Sequence, residues 1–143
     1  MPDALTTFSF HVETDGINLG AFKEASGVDS ETEIIEYKEA TEGGKMIIRK
    51  VPGAMKWADI TLKRRVDAST DLWLWRKEVE DGDIDKARRN GSIVLYDSRN
   101  DEVARWNFRD GWPSKWKGAD LNAGEDQIAV EEITITHEGL ERA

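Results

Sequence analysis

The sequence predicts a mainly β fold: a split β-barrel of about seven strands, one flanking α-helix, and a long extended arm or hairpin. Three observations carry this. Short segments alternate apolar and polar residues with the two-residue period of a half-buried strand. Turn signals such as Asp15-Gly16, Gly43-Gly44 and Pro52-Gly53 separate them. Helical spacing occurs in one segment only. The 143 residues fit a single domain spanning 1–143, and a domain of this size buries roughly two thirds of the surface its unfolded chain exposes.

The elements follow in order. Phe8, Phe10 and Val12 alternate with Ser9 and His11, which reads as a half-buried strand. A second strand is expected over 20–28 and a third over about 30–39, the latter carrying Glu31, Glu33 and Glu36. Residues 40–57 are too many for a tight turn. With Gly43-Gly44, the β-prone run Met46-Ile47-Ile48 and a break at Pro52-Gly53, they read as an extended arm or long hairpin bearing Lys45, Arg49, Lys50 and Lys56. Strand character resumes over 59–66 around Ile60 and Leu62. A helix is expected over about 71–81, with Thr70 as N-cap and Asp71 suited to the positive first turn. Leu72, Trp75 and Val79 form its apolar stripe and Gly82 is its stop. Arg88-Arg89-Asn90-Gly91 reads as a basic turn into Ile93-Val94-Leu95-Tyr96, a strand apolar on both faces and therefore central. Residues 97–102 form a polar hairpin loop. Ala104, Trp106 and Phe108 alternate in the next strand, which Trp112-Pro113 stops. The last strand, 128–137, shifts its apolar phase from Ile128 and Val130 to Ile133 and Ile135, which implies a β-bulge near Glu131-Glu132.

Composition narrows the function. Twenty basic side chains stand against 29 acidic ones, a formal charge of -9. An acidic surface repels phosphates and disfavours nucleic acid as a specific partner. The absence of cysteine excludes a disulfide scaffold, a thiol nucleophile and Cys-ligated metal. No 18-residue apolar run is present and the opening Met1-Pro2-Asp3-Ala4 has no signal-peptide pattern, so a chain made in the cytoplasm, without direct membrane insertion, is expected. The charge is uneven. Residues 1–45 hold 3 basic and 10 acidic side chains, 46–117 hold 16 and 12, and 118–143 hold 1 and 7. A solvated surface explains this, and so do complementary acidic and basic faces, which favour head-to-tail self-association.

Candidate chemistry mostly fails. His11 and His137 lie on strands without a spaced partner for a metal site and read as partly exposed strand histidines. Gly43-Gly44-Lys45 lacks the leading glycine and the Lys-Ser/Thr ending of a phosphate loop. Residues 97–102 lack a calcium-loop pattern, the serines lack a nucleophile elbow, and Asn90-Gly91 reads as a turn. No catalytic, cofactor or metal site is expected. The six tryptophans say more. Trp112 and Trp116, set with Lys115 and Lys117, cover one end of a barrel, form a ligand platform, or belong to a protein–protein interface.

In order along the chain stand Phe10-His11-Val12, Phe22-Lys23-Glu24-Ala25-Ser26-Gly27-Val28, Glu36-Tyr37-Lys38-Glu39 and Lys50-Val51-Pro52-Gly53. Then come Ile60-Thr61-Leu62-Lys63-Arg64, Leu72 with Trp75, Ile93-Val94-Leu95-Tyr96-Asp97, Trp112-Pro113-Ser114-Lys115-Trp116 and Ile133-Thr134-Ile135-Thr136-His137-Glu138-Gly139-Leu140. From Phe8 to Leu140 the chain resembles the tail-tube proteins of contractile phages and phage-derived contractile injection systems. One departure is Arg65-Val66-Asp67, where that family often has a Gly-containing turn.

The resemblance implies a non-enzymatic subunit. Six copies would form a ring, and rings would stack into a hollow inner tube inside a contractile sheath, started at a baseplate or tube-initiator protein. Luminal cargo would be effector proteins, tape measure or DNA. The particle would assemble in the cytoplasm as a phage tail or injection machine, some of which work outside the cell. The fold would be similar to the secreted ring protein of type VI secretion. A sheath-independent ring of that type is the second reading, and a monomeric ligand-binding β-sandwich using Trp112 and Trp116 the third. Under the tube reading, Thr41, Gly43, Gly44, Lys45, Met46, Ile47, Ile48, Arg49, Pro52 and Gly53 form an arm to a neighbouring subunit or ring. Glu31 and Glu33 are candidates for the lumen wall, where an acidic bore would let acidic cargo slide. The basic middle of the chain serves ring stacking or sheath contact.

Overall fold

The computed structural model describes residues 9–14, 17–66, 70–118 and 129–143, with the side chains of 17–19 outside that description. Phe8, the Asp15-Gly16 turn, Asp67 and Ile128 lie outside the described residues. β1 (Ser9–Thr14) buries Val12 and Thr14 and pairs antiparallel with β2 (Ile17–Phe22) on one side and β7 (Arg89–Tyr96) on the other. On the far side, β3 (Glu24–Ser26) pairs with β6 (Ile60–Arg65), and β6 with β9 (Val130–Thr136). β8 (Glu102–Lys117) joins the two groups. Its first half pairs with β7 and with β10 (Gly139–Arg142), and its second half pairs with β9. The strand order is β2-β1-β7-β8-β9-β6-β3, with β10 off the path on β8. One core lies between the two groups: Val12, Ile93 and Phe108 come from the first, Ile60, Leu62, Ile133 and Ile135 from the second.

The mainly β class is as expected, and several elements differ from the sequence reading. The strand expected over 20–28 is two strands, because at Lys23 the backbone changes partner. Its N–H donates to Lys63 O of β6 at 2.8 Å, next to the Glu24↔Lys63 pair of β3 with β6. The helix is α1 (Asp71–Glu80), with Leu72 and Trp75 buried. Thr70 makes no side-chain cap; the Leu72 N–H donates instead to Asp71 Oδ1 at 2.8 Å. A second helix, α2 (Ile84–Ala87), follows. It gives Trp75 a partner: the indole Nε1 donates to Ala87 O at 2.6 Å, and Arg89, paired to Glu78, lies over the ring.

Trp112-Pro113 does not end its strand; β8 runs through to Lys117. A register shift between Pro113 and Lys115 marks a bulge there, and a bulge tolerates a residue without an N–H. Asn90-Gly91 is not a turn either but part of β7, at a register shift beside Phe108. Any Cβ on Gly91 would lie 2.5 Å from the Phe108 ring, so only glycine fits. The expected bulge at Glu131-Glu132 is absent, because β9 keeps one phase: Glu131, Ile133 and Ile135 all point inward. Glu131 is buried yet charged because Arg64, its cross-strand partner, meets it there. Arg64 Nε donates to Glu131 Oε1 at 2.6 Å and Nη2 to Asp71 Oδ1 at 2.5 Å, while Trp116 Nε1 donates to Glu131 Oε2 at 3.3 Å. Burial lowers the Arg64 pKa, but the two carboxylates outweigh it and leave the value raised. This cluster ties β6, β8, β9 and α1 together.

β4 (Ser30–Ala40) and β5 (Met46–Trp57) stand apart from the eight strands as a separate two-stranded sheet. The arm therefore begins at Ser30, ten residues before the sequence placed it. The strand expected over 30–39 is one leg of the hairpin, and it pairs only with β5 among the described strands.

Candidate assembly surface

The hairpin is built from its turn outward. Thr41 closes it: its N–H and hydroxyl both donate to Lys45 O, at 2.9 and 3.0 Å, and Gly44 N–H donates back to Thr41 O. Gly44 takes a φ of 75°, which glycine adopts without a Cβ clash. The register then runs Ala40↔Met46 to Ile34↔Pro52, slips once as Gly53-Ala54 bulge opposite Glu33, and resumes at Thr32↔Met55. Directly opposed residues share a face. One face therefore carries Ile34, Glu36, Lys38, Met46, Ile48, Lys50, Pro52 and Met55; the other carries Glu31, Glu33, Ile35, Tyr37, Glu39, Arg49, Val51 and Lys56.

Every residue of β4 is exposed, and so is most of β5. Ile34 is 67% and Ile48 62% exposed, with Met46 and Met55 close behind on the same face. Ile35, Tyr37 and Val51 are exposed on the opposite face. A lone two-stranded hairpin is marginal in water, and one with apolar side chains on both faces exposes a patch of the kind that marks an interaction surface. Its charges pair across the strands: Arg49 with Glu39 at 3.0 Å, Lys50 with Glu36 at 3.9 Å, and Lys56 with Glu33. Glu31 and Glu33 thus sit at the base of the hairpin, with Lys56 beside them.

The motif positions divide between this hairpin and its supports. Glu36 and Tyr37 are exposed on β4. Leu62 and Trp75 are core, while Lys63 reaches Glu24 on the surface at 3.6 Å. Pro113 is buried, and Trp112 and Trp116 are half-buried against the core on β8. Gly27 sits between β3 and β4 with a φ of 85°, and a Cβ there would drive into the Asp59 carbonyl. His137 is buried, not partly exposed, and contacts Ala58. Glu138 N–H donates to Arg109 O, and Gly139 opens β10 beneath the Arg109 guanidinium. The sequence reading did not single out Ile34, Ile35 and Met55, and had Val51 only inside the Lys50-Val51-Pro52-Gly53 motif. The adjacent pair Ile34-Ile35 in a strand was the available signal, because neighbours in a strand face opposite ways.

Other surfaces are plainer. A cleft of about 390 Å³ lies over Glu13, Asn90, Ser92, Asn107 and Arg109. Among the described residues, no three His, Asp or Glu side chains are grouped to hold a metal, and no helix is long and apolar enough to cross a membrane.

Fold and surface together define a class: a β-rich module with one core and a projecting, apolar-faced hairpin. The chain belongs to the family of the T4-like virus tail tube protein gp19, whose model matches residues 6–141. No curated protein matches it. Among solved structures it is similar to a chain of the PVC extracellular contractile injection system, in its extended sheath–tube complex. That match has 22% identity and a TM-score of 0.75, covering 100% of this chain and 93% of that one. A chain of the anti-feeding prophage baseplate matches with 18% identity and a TM-score of 0.75, covering 100% and 96%. Hcp1 from Flavobacterium johnsoniae is more distant, with 14% identity and a TM-score of 0.61, covering 94% of each chain. At these identities the likenesses speak for the fold.

Proposed function

We propose that this chain is the repeating, non-enzymatic subunit of the inner tube of a contractile tail or injection particle. Rings of six copies stack into a conduit for cargo, inside a sheath and upon a baseplate or initiator. The observation that carries this is the β4–β5 hairpin, whose two exposed apolar faces need partners that a single copy does not supply. Neighbouring copies supply them in a tube. Burying one Ile or Met side chain is worth about 1.5–3 kcal/mol, and a tube repeats that gain at every subunit. The family and the tube-complex relatives support the reading. Half-burial of Trp112 and the hold of Glu131 on Trp116 count against a ligand platform.

Negative-stain microscopy of the purified protein tests it. Wild type forms tubes or stacked rings. A variant lacking residues 32–55, with Glu31 and Lys56 joined by a short turn, keeps the β folds of the body and forms no tubes. Wild type that stays monomeric at high concentration, or normal tubes from the deletion, overturns the proposal.

Glu31 and Glu33 belong to the lumen wall in this reading, their charge partly offset by Lys56. The chain has no native cysteine, so Glu31→Cys reports cleanly. A small thiol reagent labels it in assembled tubes and a reagent wider than the bore does not. Equal labelling by both places it outside.

A further inference from the structure

The hairpin meets the body of the protein at one place. Its outgoing leg, Gly27-Val28-Asp29, packs Val28 on the core and lays the Gly27 backbone against the Asp59 carbonyl. Its returning leg, Trp57-Ala58-Asp59, leads from β5 into β6. His137, at the end of β9 and 7% exposed, stands over that returning leg. Its Nε2 lies 3.1 Å from Ala58 O, and its ring lies near both Trp57 and Phe108, with centroids 6.0 and 6.4 Å away. Beyond this root, among the described residues, the side-chain hydrogen bonds and ion pairs of the hairpin run within it.

We propose that His137 is a positioning residue for assembly: it fixes the direction in which the β4–β5 hairpin projects, and acid releases that hold. The consequence for assembly rests on the tube reading; the hold on the root does not.

The chemistry is asymmetric. A carbonyl can only accept, so in the neutral ring Nε2 carries the hydrogen and donates to Ala58 O. Nδ1 is then bare and buried and makes no hydrogen bond, although the Gly139 backbone lies close enough to the ring to favour its charged form. An added proton must sit on Nδ1 and create a cation inside the root. The charged groups around the ring are Asp59 on the linker, whose Oδ1 already accepts from the Thr136 hydroxyl at 3.0 Å, Arg109 of β8 over Gly139, and the exposed Glu138 next in the chain. Burial pushes the His137 pKa below the usual 6.5, and the pull of the Ala58 and Gly139 backbones and of Asp59 does not cancel it. The folded value is therefore lower than the unfolded one. The contribution is complete above about pH 6.5 and is lost as the pH falls below it.

Amide hydrogen exchange on the full chain, with electron microscopy of the same samples, tests this. Wild type is compared with His137→Gln, which keeps a donor towards Ala58 O and does not titrate. Rates are corrected for intrinsic chemistry and referred to β7. From roughly pH 7.5 to pH 5.5, protection at residues 57–61 in wild type falls several-fold, with about tenfold as the ceiling, relative to β7, and tubes shorten or fall apart. In His137→Gln both stay constant. The proposal is overturned if root and β7 protection change in parallel in wild type, or if His137→Gln follows the wild-type profile. Root exchange decides the matter whether or not tubes form. Absence of tubes at both pH values removes the tube reading, not this one.

Discussion

Replacing Arg64 by Met isolates the charge buried where three strands and a helix meet. The guanidinium lies beneath Phe22, 5.5 Å from its centroid, and serves Glu131 and Asp71 together. A Met side chain fills similar space and carries no charge. Glu131, with 8% of its side chain exposed, keeps the neutral Trp116 donor at 3.3 Å and loses its cation; Asp71, 29% exposed, can turn to water. Most of the cost therefore falls on Glu131. Breaking a buried pair by removing one partner costs about 3–5 kcal/mol. With a urea slope of about 2 kcal/mol per molar for a domain of this size, the unfolding midpoint should fall by about 2 M. Arg64→Met with Glu131→Gln removes the stranded charge and keeps an acceptor for Trp116, so it should regain more than half of that loss. Tryptophan fluorescence in a urea titration, at one fixed protein concentration, measures both. A midpoint shift under about 0.5 M for the single variant, or no recovery in the double, would refute the assignment of Glu131 as a charge held in place by Arg64.

Further outcomes follow from the same structure. Gly27→Ala must place a Cβ against the Asp59 carbonyl at a φ of 85°, so a loss of at least about 2 kcal/mol in thermal or urea unfolding is expected. Trp75→Phe loses the bond to Ala87 O and part of the stacking with Arg89, a cost of about 1–3 kcal/mol in the same assay. Ile34→Asp with Ile48→Asp, both on one exposed hairpin face, should leave the unfolding free energy of the single subunit within about 0.5 kcal/mol of wild type while abolishing sedimentable tubes. By contrast Arg49→Gln, which breaks an exposed pair with Glu39, should change stability by under about 1 kcal/mol.

What could be read from the sequence was what local pattern controls. The period-two runs at 8–12, 60–64 and 104–108, and the spacing of Leu72, Trp75 and Val79, gave the class and the main helix because each depends on near neighbours. Other features depend on partners far along the chain. Glu131 looked like a break in phase because the cation that permits it inside sits 67 residues away. Pro113 looked like a stop because the bulge that accommodates it arises from pairing with β9. His137 looked exposed because its cover, Trp57 and Phe108, comes from two other strands. The hairpin was located but started ten residues late: its first leg has ordinary strand character, and nothing in its own residues says that it pairs outside the main sheet.

The length of that hairpin has a mechanical meaning. Eleven residues of β4 at about 3.3 Å each make a lever of about 35 Å. A rotation of only about 5° at Gly27 and Ala58 swings the Thr41–Lys45 tip by about 3 Å, close to the whole spacing of a strand residue. Contacts made at the tip are therefore only as well aimed as the root is stiff, and a small angular tolerance at the root becomes a full residue of misregister at the far end.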